Sequence, residues 1–281
     1  MTVRRWRMGL RLQRHRATER MVGLGILVVS MIAFIVVPFF SQSPYAINSR
    51  PLQPPSGAHW FGTDWLGRDM FARVFLAGRL DLIIVVVSVA VCVIIGTLIG
   101  MMIATTHRYI RAVALRFIDA ILAMPGIVVL VALVDIIGGR EIIPFLAPSV
   151  GTILIAIVIG GWAPYARFTV AQALVLRERD HVVAARLLGY SRMRILIRHI
   201  APSVIGVNLS YAAAQAVGTI GLIASLAFLG AGVQEPTPDL GAMMQGGISL
   251  LSVAWWVTLI PGLIVLLLGV GFALVADSSR R

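Results

Sequence analysis

Lysine is missing from this chain altogether: its 24 basic residues are all arginine, set against 12 acidic residues for a net charge of +12. That absence reflects codon usage and carries no chemistry of its own. Cysteine is nearly missing too. The single Cys92 sits inside an apolar run, which excludes a disulfide framework and a cysteine-based metal site. Charge is scarce: 13% charged against 59% hydrophobic residues lies outside the range of soluble globular domains. The arginines are confined to short segments between apolar runs, without aromatic stacking platforms among them, which argues against a nucleic-acid surface. Catalytic constellations are lacking as well. His15, His59, His107, His181 and His199 are scattered over both sides of the predicted membrane, and no Gly-rich phosphate loop occurs. Asp119 and Asp135 share one predicted span, about 24 Å of helical rise apart, too far for a dyad. A polytopic membrane enzyme would need a cluster that is not there, and a secondary transporter would call for mid-bilayer charge and inverted repeats.

What the chain does have is six apolar runs long enough to cross about 30 Å of hydrocarbon at about 1.5 Å per residue. They lie near 21–40, 80–104, 117–138, 151–175, 203–230 and 251–276. Seven arginines precede the first run and no small-residue cleavage site follows it, so it reads as a retained anchor. Residues 1–20 hold seven Arg, 105–116 three and 176–200 six; the alternate loops 41–79, 139–150 and 231–250 hold four, one and none. Because cytoplasmic loops carry the arginine excess, both termini and the 176–200 loop are expected in the cytoplasm. The expected fold is an all-α integral membrane protein of six transmembrane helices. Gly96 and Gly100 form a GxxxG seam in the second span, and Pro125 and Pro164 are candidate kinks. Arg167 is expected to snorkel to the cytoplasmic interface, and Asp119 to pair with Arg116 one turn away.

Residues 180–202 form a compact basic segment between two apolar runs. Asp180 is expected to cap a short helix containing Ala184 and Ala185; Gly189 breaks it, and a second short helix ends at Pro202. Arg186, Arg192, Arg194 and Arg198 keep the segment out of the bilayer. An Ala-Ala pair, a Gly four residues later and a Pro thirteen residues after that resemble the EAA loop of ABC-importer permeases. Val183 stands where that motif has Glu, and Ala201 where it has Leu. Three further stretches resemble the C-type permease subunit of dipeptide, oligopeptide and nickel ABC importers. They are residues 59–73 (His59-Trp-Phe-Gly-Thr-Asp-Trp-Leu-Gly-Arg-Asp-Met-Phe-Ala-Arg73), Asp119 followed by Met124-Pro125, and residues 228–241 ending in Pro-Thr-Pro-Asp-Leu-Gly. The family's second Arg after Arg167 is replaced by Val170, and its fifth-span Glu by Ile223.

The resemblance implies the type I ABC importer permease fold in a bacterial inner membrane, with both termini cytoplasmic. Residues 1–20 would be a basic tail, 21–79 the first span with an extracytoplasmic loop, and 80–277 the permease core. The chain would pair with a homologous second permease and dock two cytoplasmic ATPases, which alone bind ATP and Mg. An extracytoplasmic binding protein would deliver the substrate, a di- or oligopeptide, with nickel or another small ligand as the alternative. Coupling to the ATPases would fall to Asp180, Val183, Ala184, Ala185, Arg186, Gly189, Arg192, Arg194, His199 and Pro202. Trp60 and Trp65 of the outer loop are expected at the headgroup level.

Overall fold

Hydrocarbon offers no water to backbone N–H and C=O groups, so a spanning chain satisfies them within helices. The computed structural model of the chain describes residues 2–138 and 149–279, with side chains over 17–138 and 149–278. It is helical accordingly. The elements are α1 (Thr2–Phe40), α2 (Met70–Thr105), α3 (Arg108–Ala123), α4 (Gly126–Ile137), α5 (Val150–Arg177), α6 (Asp180–Leu187), α7 (Arg192–Ile195), α8 (Ala201–Phe228), α9 (Leu240–Gly247) and α10 (Trp256–Ser279). Five stretches are long and apolar enough to cross a membrane, and the α3–α4 pair makes six if it counts as one span. The side chains of the tail arginines up to Arg16, and the short loop of 139–148, lie outside the described residues.

Of the boundaries that differ from the sequence-based expectation, two have a clear physical reason. The second span was expected from residue 80, yet α2 starts at Met70, where Asp69 caps it by accepting a hydrogen bond from the Ala72 N–H at 3.1 Å. Hydropathy marks entry into the bilayer, not the start of the helix. The 36 residues of α2 reach about 54 Å, well beyond the hydrocarbon core. The third span is not one rod but α3 and α4, bent by 83° at Met124-Pro125. Met124 is extended, as a residue before proline prefers, and the α3 hydrogen bonds end there. Pro164 by contrast lies inside an unbroken α5. The bend also removes the straight-helix basis for the expected separation of Asp119 and Asp135.

Lipid tails are as apolar as leucine, so helices in a bilayer associate through close packing more than through apolar burial. The tightest seam joins α2 to α5. A Cβ on Gly96 would lie 2.5 Å from the Trp162 carbonyl oxygen and 2.5 Å from Tyr165 Cβ; one on Gly100 would meet the Ala166 carbonyl oxygen at 2.6 Å. Backbone occupies the space a side chain would need. On the side of the seam toward the start of α2, Ile84, Val85, Ile153, Ala156, Ile220 and Leu226 form the main buried cluster of α2, α5 and α8. A polar clip crosses it: the Asn208 amide of α8 donates to Thr97 Oγ1 of α2 at 2.7 Å and to Thr169 Oγ1 of α5 at 2.8 Å. Val170 and Ile223 are buried in this chain.

Gly96→Val is expected to force α2 and α5 apart and to cost about 1–3 kcal/mol or more, as overpacking does. Gly218→Ala, where a Cβ meets nothing within 4 Å, is the matched control. Thermal unfolding in detergent checks it: the first variant melts markedly lower, the second close to wild type.

Candidate functional site

The basic segment folds back on itself at Gly189, whose φ of +78° is the left-handed conformation in which glycine carries no steric penalty. The Tyr190 N–H donates to the Ala185 carbonyl at 3.2 Å and the Gly189 N–H to that of Arg186 at 3.1 Å. This is the Schellman closure of α6, satisfying carbonyls the helix leaves open. Ser191 then caps α7 by accepting from the Arg194 N–H at 3.3 Å. The expected helix, break and helix are all present.

Three details of the expectation are corrected. Asp180 is not the cap: Arg179 holds that position, and Asp180 is the first helical residue, where its charge still favours the helix N-terminus. The second helix does not end at Pro202. α7 passes through a π-helical turn, Leu196–Ile200, into α8, with Pro202 in the first turn of α8. A widened turn just upstream accommodates the donor that proline lacks, so the coupling segment and the fifth span form one 37-residue helical run, Arg192–Phe228. Finally, Ala185 is not presented outward. It is 4% exposed and packs with Val182, Ala173, Ile195 and Val204, holding α6 against α5 and α8.

The outward face is different. Leu187 and Leu188 are 85% and 74% exposed, with Val183, Ala184 and Met193 exposed beside them. Arg186 and Arg192 are exposed on the same segment. Arg194 stacks over the Tyr190 ring at 5.3 Å, and His199 lies against Tyr190 and His181 with ring centroids 6.1 Å and 6.4 Å away. Large apolar side chains ringed by arginine on a polar loop make this segment a candidate surface for another protein. At the inner ends of the spans, the Arg177 guanidinium donates to the Ala104 carbonyl at 2.7 Å and ties α5 to the C-terminus of α2.

A second constellation, on the outer side, was not anticipated. Arg68 donates from Nε to Asp64 Oδ2 at 2.6 Å and from its terminal nitrogens to both oxygens of Glu235, at 2.6 Å and 3.3 Å. Arg73 donates to Glu235 Oε1 at 3.1 Å and to the Pro44 carbonyl at 3.3 Å. Asp64 also accepts the backbone N–H groups of Leu66 and Arg68, each at 2.9 Å. Two guanidinium groups and two carboxylates thus form a neutral clamp joining the outer loop, α2 and the segment between α8 and α9. Arg73 and Asp64 are each 1% exposed. Beside the clamp, His59 Nδ1 lies 2.7 Å from Asp69 Oδ2 and its Nε2 2.9 Å from Ser49. Trp60 is 67% exposed, as an interfacial anchor would be, whereas Trp65 is half-buried against α9 and near the Arg68 guanidinium.

Burial alone would raise the Glu235 carboxyl, but hydrogen bonds and charge from Arg68 and Arg73 outweigh it and hold the group below its ordinary 4.5. Burial likewise pushes the Asp239 carboxyl upward, although backbone N–H groups of Ala242, Val233 and Gly241 pull the other way. Within the membrane, Asp119 does not pair with Arg116. It meets Arg167 of α5 at 2.7 Å, where α3 packs along α5, and both side chains remain partly exposed.

A helical chain with five to six candidate spans, a folded-back basic segment and a clamped loop at the opposite ends of the spans is a polytopic membrane protein. Residues 96–281 match the family described as the binding-protein-dependent transport system inner membrane component, and the chain belongs to that family. It is 33% identical over 261 residues to the dipeptide transport system permease protein DppC of Alkalihalophilus pseudofirmus, covering 92% of this chain and 83% of the relative. It is 33% identical over 257 residues to the probable D,D-dipeptide transport system permease protein DdpC of Escherichia coli, covering 91% and 83%. To the glutathione transport system permease protein GsiD of Pectobacterium atrosepticum it is 31% identical over 278 residues, covering 98% and 88%. The chain is an inner-membrane permease and not an enzyme.

Two measurements check the clamp. Asp64→Ala leaves two buried guanidinium groups sharing the single carboxylate of Glu235 and is expected to cost about 3–5 kcal/mol in thermal unfolding. A depressed carboxylate contributes stability fully above its unfolded pKa and loses it as pH falls through the lower folded value. Below about pH 4.5 the melting temperature is therefore expected to fall with a component that Glu235→Gln removes.

Proposed function

We infer that this permease forms half of the translocation pathway of an ATP-driven importer of short peptides. Its partners are a homologous second permease, two cytoplasmic ATPases that carry ATP and Mg, and an extracytoplasmic binding protein. Peptide is the favoured cargo because the relatives at 31–33% identity are named for dipeptide, D,D-dipeptide and glutathione transport. The orientation rests on the arginine-rich loops, which put residues 180–202 in the cytoplasm.

The observation that carries this reading is the docking segment, a two-helix element closed at Gly189 whose exposed apolar face is continuous in backbone with the fifth span. Asp180, Val183, Ala184, Arg186, Arg192 and Arg194 serve it at or near the surface. Ala185, Gly189, His199 and Pro202 serve it by holding its shape. An ATPase groove that closes on Leu187 and Leu188 pulls on α7, and the helix conveys that displacement to α8 as a rigid element. The pathway opens by geometry, without covalent chemistry in this chain.

The test uses the assembled transporter in proteoliposomes. Leu187→Arg with Leu188→Glu is expected to leave insertion and melting unchanged, since both side chains are exposed, while lowering substrate-stimulated ATP hydrolysis at least tenfold. Gly189→Val, forced to positive φ at a cost of about 1–2 kcal/mol, is expected to give a similar loss. Ala185→Glu buries a charge in the fold and is expected to reduce stability itself. Normal coupled hydrolysis in the Leu187/Leu188 variant would refute the docking role.

A further inference from the structure

Between the inner ends of α2 and α5, the start of α3 and the docking segment lies a cavity of about 840 Å³. Arg108, Arg111, Arg177, Arg186 and Arg192 line it, with Glu178 as the one carboxylate among the lining residues. No ion pair among the described residues includes any of these five arginines. Arg177 is fixed by its bond to the Ala104 carbonyl, and Arg186, Arg111 and Arg192 stand near enough to repel it. Packing like charges around a shared hollow costs energy unless an anion occupies it.

A second feature points the same way. The 16-residue α3 begins at this cavity with no side-chain cap at His107 and no acidic residue in its first turn. Open N–H groups and the helix dipole there favour a negative ligand, and phosphate oxygens suit both them and the arginine forks. Leu174, Ile195, Leu196 and Ile200 give the cavity an apolar stretch, beside Thr105, Thr106, His107 and Tyr190. A ligand with a phosphate head and an apolar body satisfies both halves, and the cavity lies at the inner ends of the spans, where headgroups of the cytoplasmic leaflet are found.

We propose that this cavity binds the headgroup of an anionic phospholipid of the inner leaflet, with the phosphate against Arg108, Arg111 and the α3 N-terminus. The site ties the start of α3 to the docking segment through Arg186 and Arg192, beside the ATPase contact at Leu187 and Leu188.

Full-length protein purified in a neutral detergent is titrated with phosphatidylglycerol, phosphatidylcholine or inorganic phosphate, with bound lipid counted by native mass spectrometry and stability by melting. Phosphatidylglycerol is expected to be retained and to raise the melting temperature, phosphatidylcholine to do neither, and millimolar phosphate not to displace the lipid. Arg108→Gln with Arg111→Gln is expected to weaken phosphatidylglycerol binding at least tenfold. Arg116→Gln, on the same helix but outside the cavity, is expected to leave it unchanged. Equal weakening by Arg116→Gln would reduce the effect to general surface charge and overturn the site. An equal response to inorganic phosphate alone would overturn the lipid assignment in favour of a soluble anion. Loss of the lipid when ATPase subunits are added would assign the cavity to a protein contact instead.

Discussion

The close approach of α2 and α5 at Gly96 and Gly100 is the constraint on which the other features depend. With backbone and Cβ atoms within 2.6 Å of where side chains would stand, these helices have no freedom to separate or slide without losing the seam. Their spacing lets Asn208 of α8 reach Thr97 and Thr169 together. Each such bond is worth only about 0.6 kcal/mol in a membrane, so the clip fixes the rotation of α8 more than it binds it. The same seam brings Arg177 to the Ala104 carbonyl at the inner end, providing the platform against which Ala185 and Val182 seat the docking segment.

At the outer end, charge replaces close packing. A buried guanidinium is tolerated only when paired and hydrogen-bonded, and Arg73 achieves this through Glu235, Asp64 and the Pro44 carbonyl. The clamp spans 167 residues of sequence from Arg68 to Glu235. It therefore links the cap above α2 to the segment that leads out of α8, the helix that carries the docking segment at its other end. One continuous helical run, Arg192–Phe228, thus leads from the proposed docking segment to the clamped loop.

Much of this was legible in the sequence and some was not, for identifiable reasons. The spans were legible because hydropathy reports the bilayer directly, and the Gly189 turn because a glycine after a short helix has few other uses. The 83° bend at Pro125 was only half legible: Pro164 has the same chemistry inside an unbroken helix, and the difference lies in whether Met124 is extended. The outer clamp was hidden because Asp64, Arg68 and Arg73 look like ordinary loop charges until Glu235 arrives from the far end of the chain. The outward face of the docking segment was misassigned to Ala185 because small residues signal close approach without saying to which neighbour. Here that neighbour is the chain's own core.

If the docking segment and the fifth span move as one body, the distance between a residue in each stays fixed through the ATP cycle. Spin labels at Met193 and Val207, in a Cys92→Ser background, lie about 21 Å apart along an unbroken helix and can be measured by pulsed electron paramagnetic resonance in the assembled transporter. The same narrow distance distribution is expected without nucleotide and with ATP bound. A shift approaching one helical turn, about 5.4 Å, or a split into two populations on ATP binding would show that the helix breaks near Pro202 and would contradict motion as one body.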